Sequence, residues 1–129
     1  MFKYNMDQDR RDSFFDIIPD MYNDPSYKHY KGLDAEILKI LLDEKFADPK
    51  ERQNDAPTIQ KFYDFMVRFP EFTAHGYLIG EPRLDYRISI EGLIGIPHDS
   101  EARDVFFRTF HNADEYDEFK DGSIRCWYD

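Results

Sequence analysis

The pattern of apolar positions along the chain changes character near residue 70. Before this point apolar residues recur at the three- and four-residue spacing of amphipathic helices, and after it they alternate with polar residues as in strands, apart from one more helical stretch. We therefore predict a single domain over residues 1–129, mainly helical over residues 1–70 and with a strand–strand–helix–strand order over residues 71–129.

Three helices are predicted in the first part of the chain. The first covers residues 7–18, the second begins after Asp34, a good N-cap residue, and the third follows Asp55. Between the first two helices, residues 20–32 are rich in turn-forming residues, and we predict a loop there.

The clearest strand pattern covers residues 84–91. Leu84, Tyr86, Ile88 and Ile90 alternate with polar residues, so we expect these four side chains to be buried and their polar neighbours to face water. A strand with one solvent-exposed face is typical of an antiparallel sheet that has helices on its other face only.

The remaining elements complete the predicted fold class. Residues 72–80 and 123–128 are predicted strands, a fourth helix starts near residues 99–100, and Gly92 and Gly95 should break or bulge the strand that holds them. The prediction is an α+β domain of two layers, with a three-stranded, mainly antiparallel sheet, helices on one face and the order α-α-α-β-β-α-β.

The net charge of the chain favours some kinds of binding partner over others. The chain has 27 acidic and 17 basic residues and a formal net charge of −10, which repels nucleic acids and anionic membranes and attracts basic proteins. The start of the chain lacks the apolar stretch of a signal peptide, and the single cysteine, Cys126, fits a reducing compartment. We expect a cytoplasmic protein that binds neither nucleic acid directly nor a membrane.

The negative charge is concentrated in residues 99–121. Eight acidic and three basic residues there give a net charge of −5. We predict an acidic face that docks on a basic partner, and the alternative is that these acids only solvate the surface. Their spacing does not match a calcium-binding loop, and we expect no metal or cofactor. The candidate binding residues are Asp114, Glu115, Asp117, Glu118 and Asp121.

A possible contact patch is indicated at the end of the chain. Arg125 and Trp127 share the strand face opposite Ile124 and Cys126, and arginine and tryptophan are enriched at binding hot spots. The other interpretation is that Trp127 packs under the loop of residues 22–30. We interpret Cys126 as a buried structural thiol.

Signals for catalysis are weak. The chain has no nucleophile motif and no phosphate-binding loop. One catalytic hypothesis is left, a small hydrolase-like or metal-dependent enzyme in which His98 and Asp99 form an acid–base pair with carboxylates near Asp114 and Glu115.

Binding is favoured over catalysis on these grounds. The expected function is a small acidic protein-interaction module, such as an inhibitor, an immunity-type protein or a mimic of nucleic acid, that docks on a basic protein partner. The sequence does not determine the oligomeric state.

Overall fold

Along residues 1–19 and 24–129, which the computed structural model describes, the chain forms four helices and six strands. In chain order these are α1 (Gln8–Ser13), β1 (Asp16–Ile18), β2 (Tyr27–Leu33), α2 (Ala35–Asp43), α3 (Ile59–Arg68), β3 (Thr73–Ile79), β4 (Arg87–Gly95), α4 (Ser100–Phe110), β5 (Glu115–Glu118) and β6 (Ile124–Trp127).

All six strands belong to one antiparallel sheet with the order β1-β2-β3-β4-β6-β5. The α+β class is confirmed, but the predicted three-stranded sheet and the predicted order of elements are wrong. Strand β1 occupies the end of the first predicted helix and β2 lies in the predicted loop, of which residues 20–23 fall outside the described residues. Strand β5 lies in the acidic stretch, where we predicted only exposed surface.

One face of the sheet forms the hydrophobic core. Helices α2, α3 and α4 pack their apolar sides on it. Phe15, which follows α1, also contacts the core, and its ring centroid lies 4.6 Å from that of Tyr30. A cluster of phenylalanine rings joins α3 to α4, and the ring centroids of Phe65 and Phe110 lie 5.0 Å apart. The sheet contributes Tyr30, Leu33, Ala74, Leu78, Ile88, Ile90, Leu93, Ile124 and Cys126 to the core.

Side-chain caps explain where two of the helices begin. The Oδ1 atom of Asp34 accepts a hydrogen bond from the backbone N–H of Ile37 at 2.8 Å, and Asp99 does the same for Ala102 at 2.9 Å. Both caps satisfy backbone donors that have no partner inside the helix, which confirms the predicted starts. No helix in the described part of the chain is both long enough and apolar enough to cross a membrane.

Strand β4 begins three residues later than predicted and continues to Gly95. Tyr86, Ile88 and Ile90 are buried as expected, but Leu84 precedes the strand and is fully exposed, so its predicted burial is wrong. The alternating pattern continued into the turn because sequence periodicity does not show where pairing with a neighbouring strand stops.

A β-bulge interrupts the pairing of β3 with β4. His75 pairs with Gly92 and Gly76 pairs with Ile90, so that Glu91 is the extra residue. The glycine is required because a Cβ atom at position 92 would lie 1.9 Å from the carbonyl oxygen of Cys126. The bulge predicted at Gly92 is therefore present, and it places Glu91 beside the neighbouring strand β6.

Candidate binding site on the open face of the sheet

The face of the sheet opposite the core carries aromatic and charged side chains, and we call it the open face. The register of the strands places these side chains in rows across the sheet, since paired residues point to the same side. The open face includes Tyr27, His29 and Lys31 of β2, His75 and Tyr77 of β3, Arg87 and Glu91 of β4, Glu115 and Asp117 of β5, and Arg125 and Trp127 of β6.

One end of the open face is closed by residues 51–54. The hydroxyl of Tyr77 donates a hydrogen bond to Gln53 and accepts one of 2.9 Å from Arg87, while the ring of Tyr77 stacks on Tyr27. Arg87 also pairs with Glu51 at 3.5 Å. These contacts bury Tyr77, so a ligand would reach the open face from the other end.

At that other end the open face forms a groove of about 590 Å³. Strands β2, β3 and β4 form its floor, the end of β1 forms one wall and β6 forms the other. Apolar surface with a few convergent polar groups is typical of ligand-binding sites. The groove is lined by Ile18, Pro19, His29, Tyr30, Lys31, His75, Gly76, Glu91, Ile94, Arg125 and Trp127.

Glu91 is the only acidic residue among the described residues that line the groove, and its side chain is 14 % exposed. Burial raises the pKa of Glu91, whereas the nearby side chains of His29 and Trp127 act to lower it. The Nδ1 atom of His29 lies 3.9 Å from Oε1 of Glu91. Within residues 1–19 and 24–129, neither lysine nor arginine forms an ion pair with this carboxylate.

His75 lies beside Glu91 on the floor of the groove. Burial, with a smaller contribution from Arg125, lowers the pKa of His75 to about 4, so the imidazole is neutral at pH 7. Its Nε2 atom is buried and has no hydrogen-bond partner among the described residues. A neutral imidazole nitrogen in this position can donate or accept one hydrogen bond.

Two acidic residues of the edge strand β5 balance the charge of Arg125. The Nη1 atom of Arg125 lies 3.3 Å from Oδ2 of Asp117 and 3.8 Å from Oε1 of Glu115. The register pairs Asp117 with Arg125 and Glu115 with Trp127, so both acids face the same side as the groove. These acids hold the guanidinium at the rim of the groove, on the side away from β4.

The five acidic residues predicted to bind a partner do not lie on one side of the sheet. Glu115 and Asp117 join the predicted pair Arg125 and Trp127 on the open face. Glu118 points to the other side and binds Arg103 of α4 at 2.6 Å.

The other two acids flank the strand. The carboxylate of Asp114 accepts from the backbone N–H of Asp129 at 2.8 Å, and that of Asp121 accepts from the backbone N–H of Ser123 at 2.9 Å in the β5–β6 turn. The role of the five acids in binding stays a prediction.

His98 and Asp99 of the catalytic hypothesis lie apart from the groove and from the carboxylates that the hypothesis combines with them. His98 has a side chain that is 72 % exposed, and Asp99 caps α4. The length of α4, about 16 Å, separates Asp99 from Asp114. In the described ranges, no three side chains of His, Cys, Asp or Glu are grouped as metal ligands would be.

The side chains of Trp127 and Cys126 point to opposite sides of β6. Trp127 is half-buried in the wall of the groove, whereas Cys126 lies in the core, where burial raises its pKa to about 12. The interpretation of Cys126 as a buried thiol is confirmed.

Sequence reasoning did not identify His29, His75 and Glu91 as parts of one site. The alternating pattern predicts that Glu91 faces water in a strand, and the turn-forming residues around His29 predict a loop. The alternation of Tyr27, His29 and Lys31 was a usable sign of a strand, since its odd positions share one face.

Comparisons with known proteins add no assignment to this geometry. No protein-family model, no curated protein and no solved structure matches the chain, so its function has to be inferred from the open face itself.

Proposed function

We propose that this chain is a protein-interaction module that docks on a basic protein partner through the open face of its sheet. The observation that carries the proposal is the pairing of Glu115 with Trp127 and of Asp117 with Arg125 at the rim of the groove. An acidic rim beside an aromatic side chain supplies both long-range attraction for a basic surface and apolar contact area.

The distribution of charge supports this orientation of docking. The net charge of −10 attracts a basic partner from a distance, and the exposed acids of β5 would then meet its cations directly. The groove beside them is concave and partly apolar, which allows a projecting side chain of the partner to be desolvated there.

A finer form of the proposal is an inhibitor or immunity-type protein that blocks a nucleic-acid enzyme. Residues two apart on a strand lie about 6.8 Å from each other, so Glu115 and Asp117 match the axial rise of two nucleotide steps along one strand of a duplex. The phosphate-binding surface of such an enzyme would provide the basic partner.

The test begins with affinity capture from host cells, identification of the partner by mass spectrometry, and titration calorimetry with the purified partner. The double variant Glu115→Gln/Asp117→Asn and the single variant Trp127→Ala should each weaken binding by about tenfold or more. For the wild-type protein, affinity should fall as the salt concentration rises.

A matched control removes two negative charges from the helical side, in the variant Glu36→Gln/Asp64→Asn. Both residues are exposed, and the control should change affinity by less than about threefold. Wild-type affinity in a folded open-face variant, or a partner without a basic surface, would overturn the proposal.

A further inference from the structure

Glu91 and Trp127 lie next to each other in the groove. Among the described residues, no lysine or arginine forms an ion pair with Glu91. The bulge places Glu91 next to β6, and the side chains of Glu91 and Trp127 both line the groove. The backbone of Glu91 is also fixed, because its carbonyl oxygen accepts from the N–H of Tyr128 at 2.7 Å. The position of the carboxylate is therefore set by the fold.

The neighbours of Glu91 do not neutralise it well. Among residues 1–19 and 24–129, His29 is the only ion-pair neighbour of Glu91, at 3.9 Å, and it is charged only when protonated. His75 is neutral at pH 7, and Arg125 is held by Asp117 and Glu115. A carboxylate that has lost much of its water and lacks a close cation gains from binding one.

We propose that the groove binds the charged end of a lysine or arginine side chain of the partner, with Glu91 receiving the cation and Trp127 packing against the side chain's stem. This inference deepens the proposed function and rests on it for the source of the cation. The ring face of tryptophan is the most favourable aromatic surface for a cation, and the long alkyl stems of lysine and arginine match apolar walls.

The rest of the lining agrees with a long, cationic side chain. Ile18, Pro19 and Ile94 supply apolar surface for the stem. An anionic side chain would meet the carboxylate of Glu91, and a purely apolar one would leave that carboxylate desolvated without a partner. The volume of about 590 Å³ also leaves room for residues on either side of the inserted one.

Trp127 is the only tryptophan, so its indole N–H gives a single NMR signal that reports on the groove. We would titrate the ¹⁵N-labelled protein with four probes, the Nα-acetyl amides of lysine, arginine, norleucine and glutamate. The lysine and arginine probes should shift the indole signal with saturation in the millimolar range, since one side chain supplies only part of an interface. The norleucine and glutamate probes should bind at least about tenfold more weakly.

Glu91→Gln keeps the size of the side chain and removes its charge. It should weaken binding of the lysine and arginine probes by about tenfold or more, while Glu36→Gln, at an exposed position of α2, should leave their binding unchanged. If Glu91→Gln does not fold, the four probes still decide the question on the wild-type protein. Equal binding of the glutamate and lysine probes, or no response of the indole, would overturn the inference.

Failure of this inference can be told apart from failure of the proposed function. A partner that requires Glu115, Asp117 and Trp127 while no basic probe shifts the indole would leave the proposed function standing and refute the cation site. Basic probes that depend on Glu91, without any basic protein partner, would support the cation site and refute the proposed source of the cation.

Discussion

The guanidinium of Arg11 lies 4.4 Å from the centre of the Tyr86 ring, in a position where the arginine is 1 % exposed. It also donates to the carbonyl oxygen of Ile79 at 2.9 Å and pairs with Asp12 at 3.0 Å. Arg11 therefore joins the short helix α1 to the ends of β3 and β4.

Replacing Arg11 with alanine should lower the free energy of unfolding by about 3 kcal/mol, because Asp12 and the Ile79 carbonyl lose a buried partner. Arg10 provides the control, since its bridge to Glu44 is exposed and Arg10→Ala should have little effect. Urea unfolding measures both variants, and similar losses in the two would contradict the structure.

Ile88 and Leu84 provide a second test with its control, one residue being buried and the other exposed. Ile88 is fully buried in β4 and Leu84 is fully exposed before it, although both belong to the same alternating pattern. Ile88→Ala should cost about 2–4 kcal/mol, as large-to-small changes in a core do, and Leu84→Ala should cost less than about 0.5 kcal/mol. Chemical denaturation that reverses this order would show that the register of β4 is wrong.

Gly92 should not tolerate a side chain. A Cβ atom there would meet the Cys126 carbonyl oxygen at 1.9 Å and Cε1 of His75 at 2.9 Å, so Gly92→Ala should cost about 3 kcal/mol and shift the melting temperature strongly.

Gly32 is the control for Gly92. It has a positive φ angle and no neighbouring atom within 4 Å of a Cβ, so Gly32→Ala should cost only about 1 kcal/mol. A smaller loss for Gly92→Ala than for Gly32→Ala would disprove the close approach of β4 and β6.

His75 should make stability depend on pH. Its pKa is about 4 in the folded protein and 6.5 as the ordinary value, so the unfolded chain binds the proton more readily. The free energy of unfolding should therefore fall as the pH drops from about 6.5 to about 4, by up to about 1.4 kcal/mol per pH unit from this group.

Other groups near His75 also titrate or carry charge, namely Glu91, His29 and Arg125, so a comparison of variants isolates its contribution. His75→Gln should weaken the pH dependence between pH 4 and 6.5, whereas His98→Gln, at an exposed site, should leave it as in the wild type. Unfolding curves of His75→Gln that follow the wild-type pH dependence would refute the assignment.

Cys126 should be inert in the folded protein. Burial raises the pKa of its thiol to about 12, so the reactive thiolate is scarce and access is blocked. Ellman's reagent at pH 8 should release almost no thionitrobenzoate until urea unfolds the chain, and then one equivalent. Rapid labelling without denaturant would show that β6 is not packed in the core.

Sequence reasoning worked best where local chemistry decides the structure. The caps at Asp34 and Asp99 depend on one side chain and a backbone three residues away, and both helix starts were predictable. The faces of β6 were also predicted correctly, because Ile124 and Cys126 alternate cleanly with Arg125 and Trp127.

The missed strands depend on contacts between distant residues. Strand β5 consists of Glu115, Tyr116, Asp117 and Glu118 and has almost no apolar pattern, so only its pairing with β6 makes it a strand. Edge strands tolerate such charge, because one of their sides faces water. The site at Glu91 was missed for a similar reason, since the bulge that orients this residue depends on pairing between β3 and β4.

The packing of all the helices against one side of the sheet offers a way to attach the molecule to a surface in a known orientation. Val67 lies on the outward side of α3 and is 55 % exposed. Because Cys126 is sealed in the core, a Val67→Cys variant would carry a single addressable thiol. A biosensor chip coupled through that thiol would present the groove to solution on every molecule, whereas random coupling through lysines would block Lys31 and part of the groove on some of them.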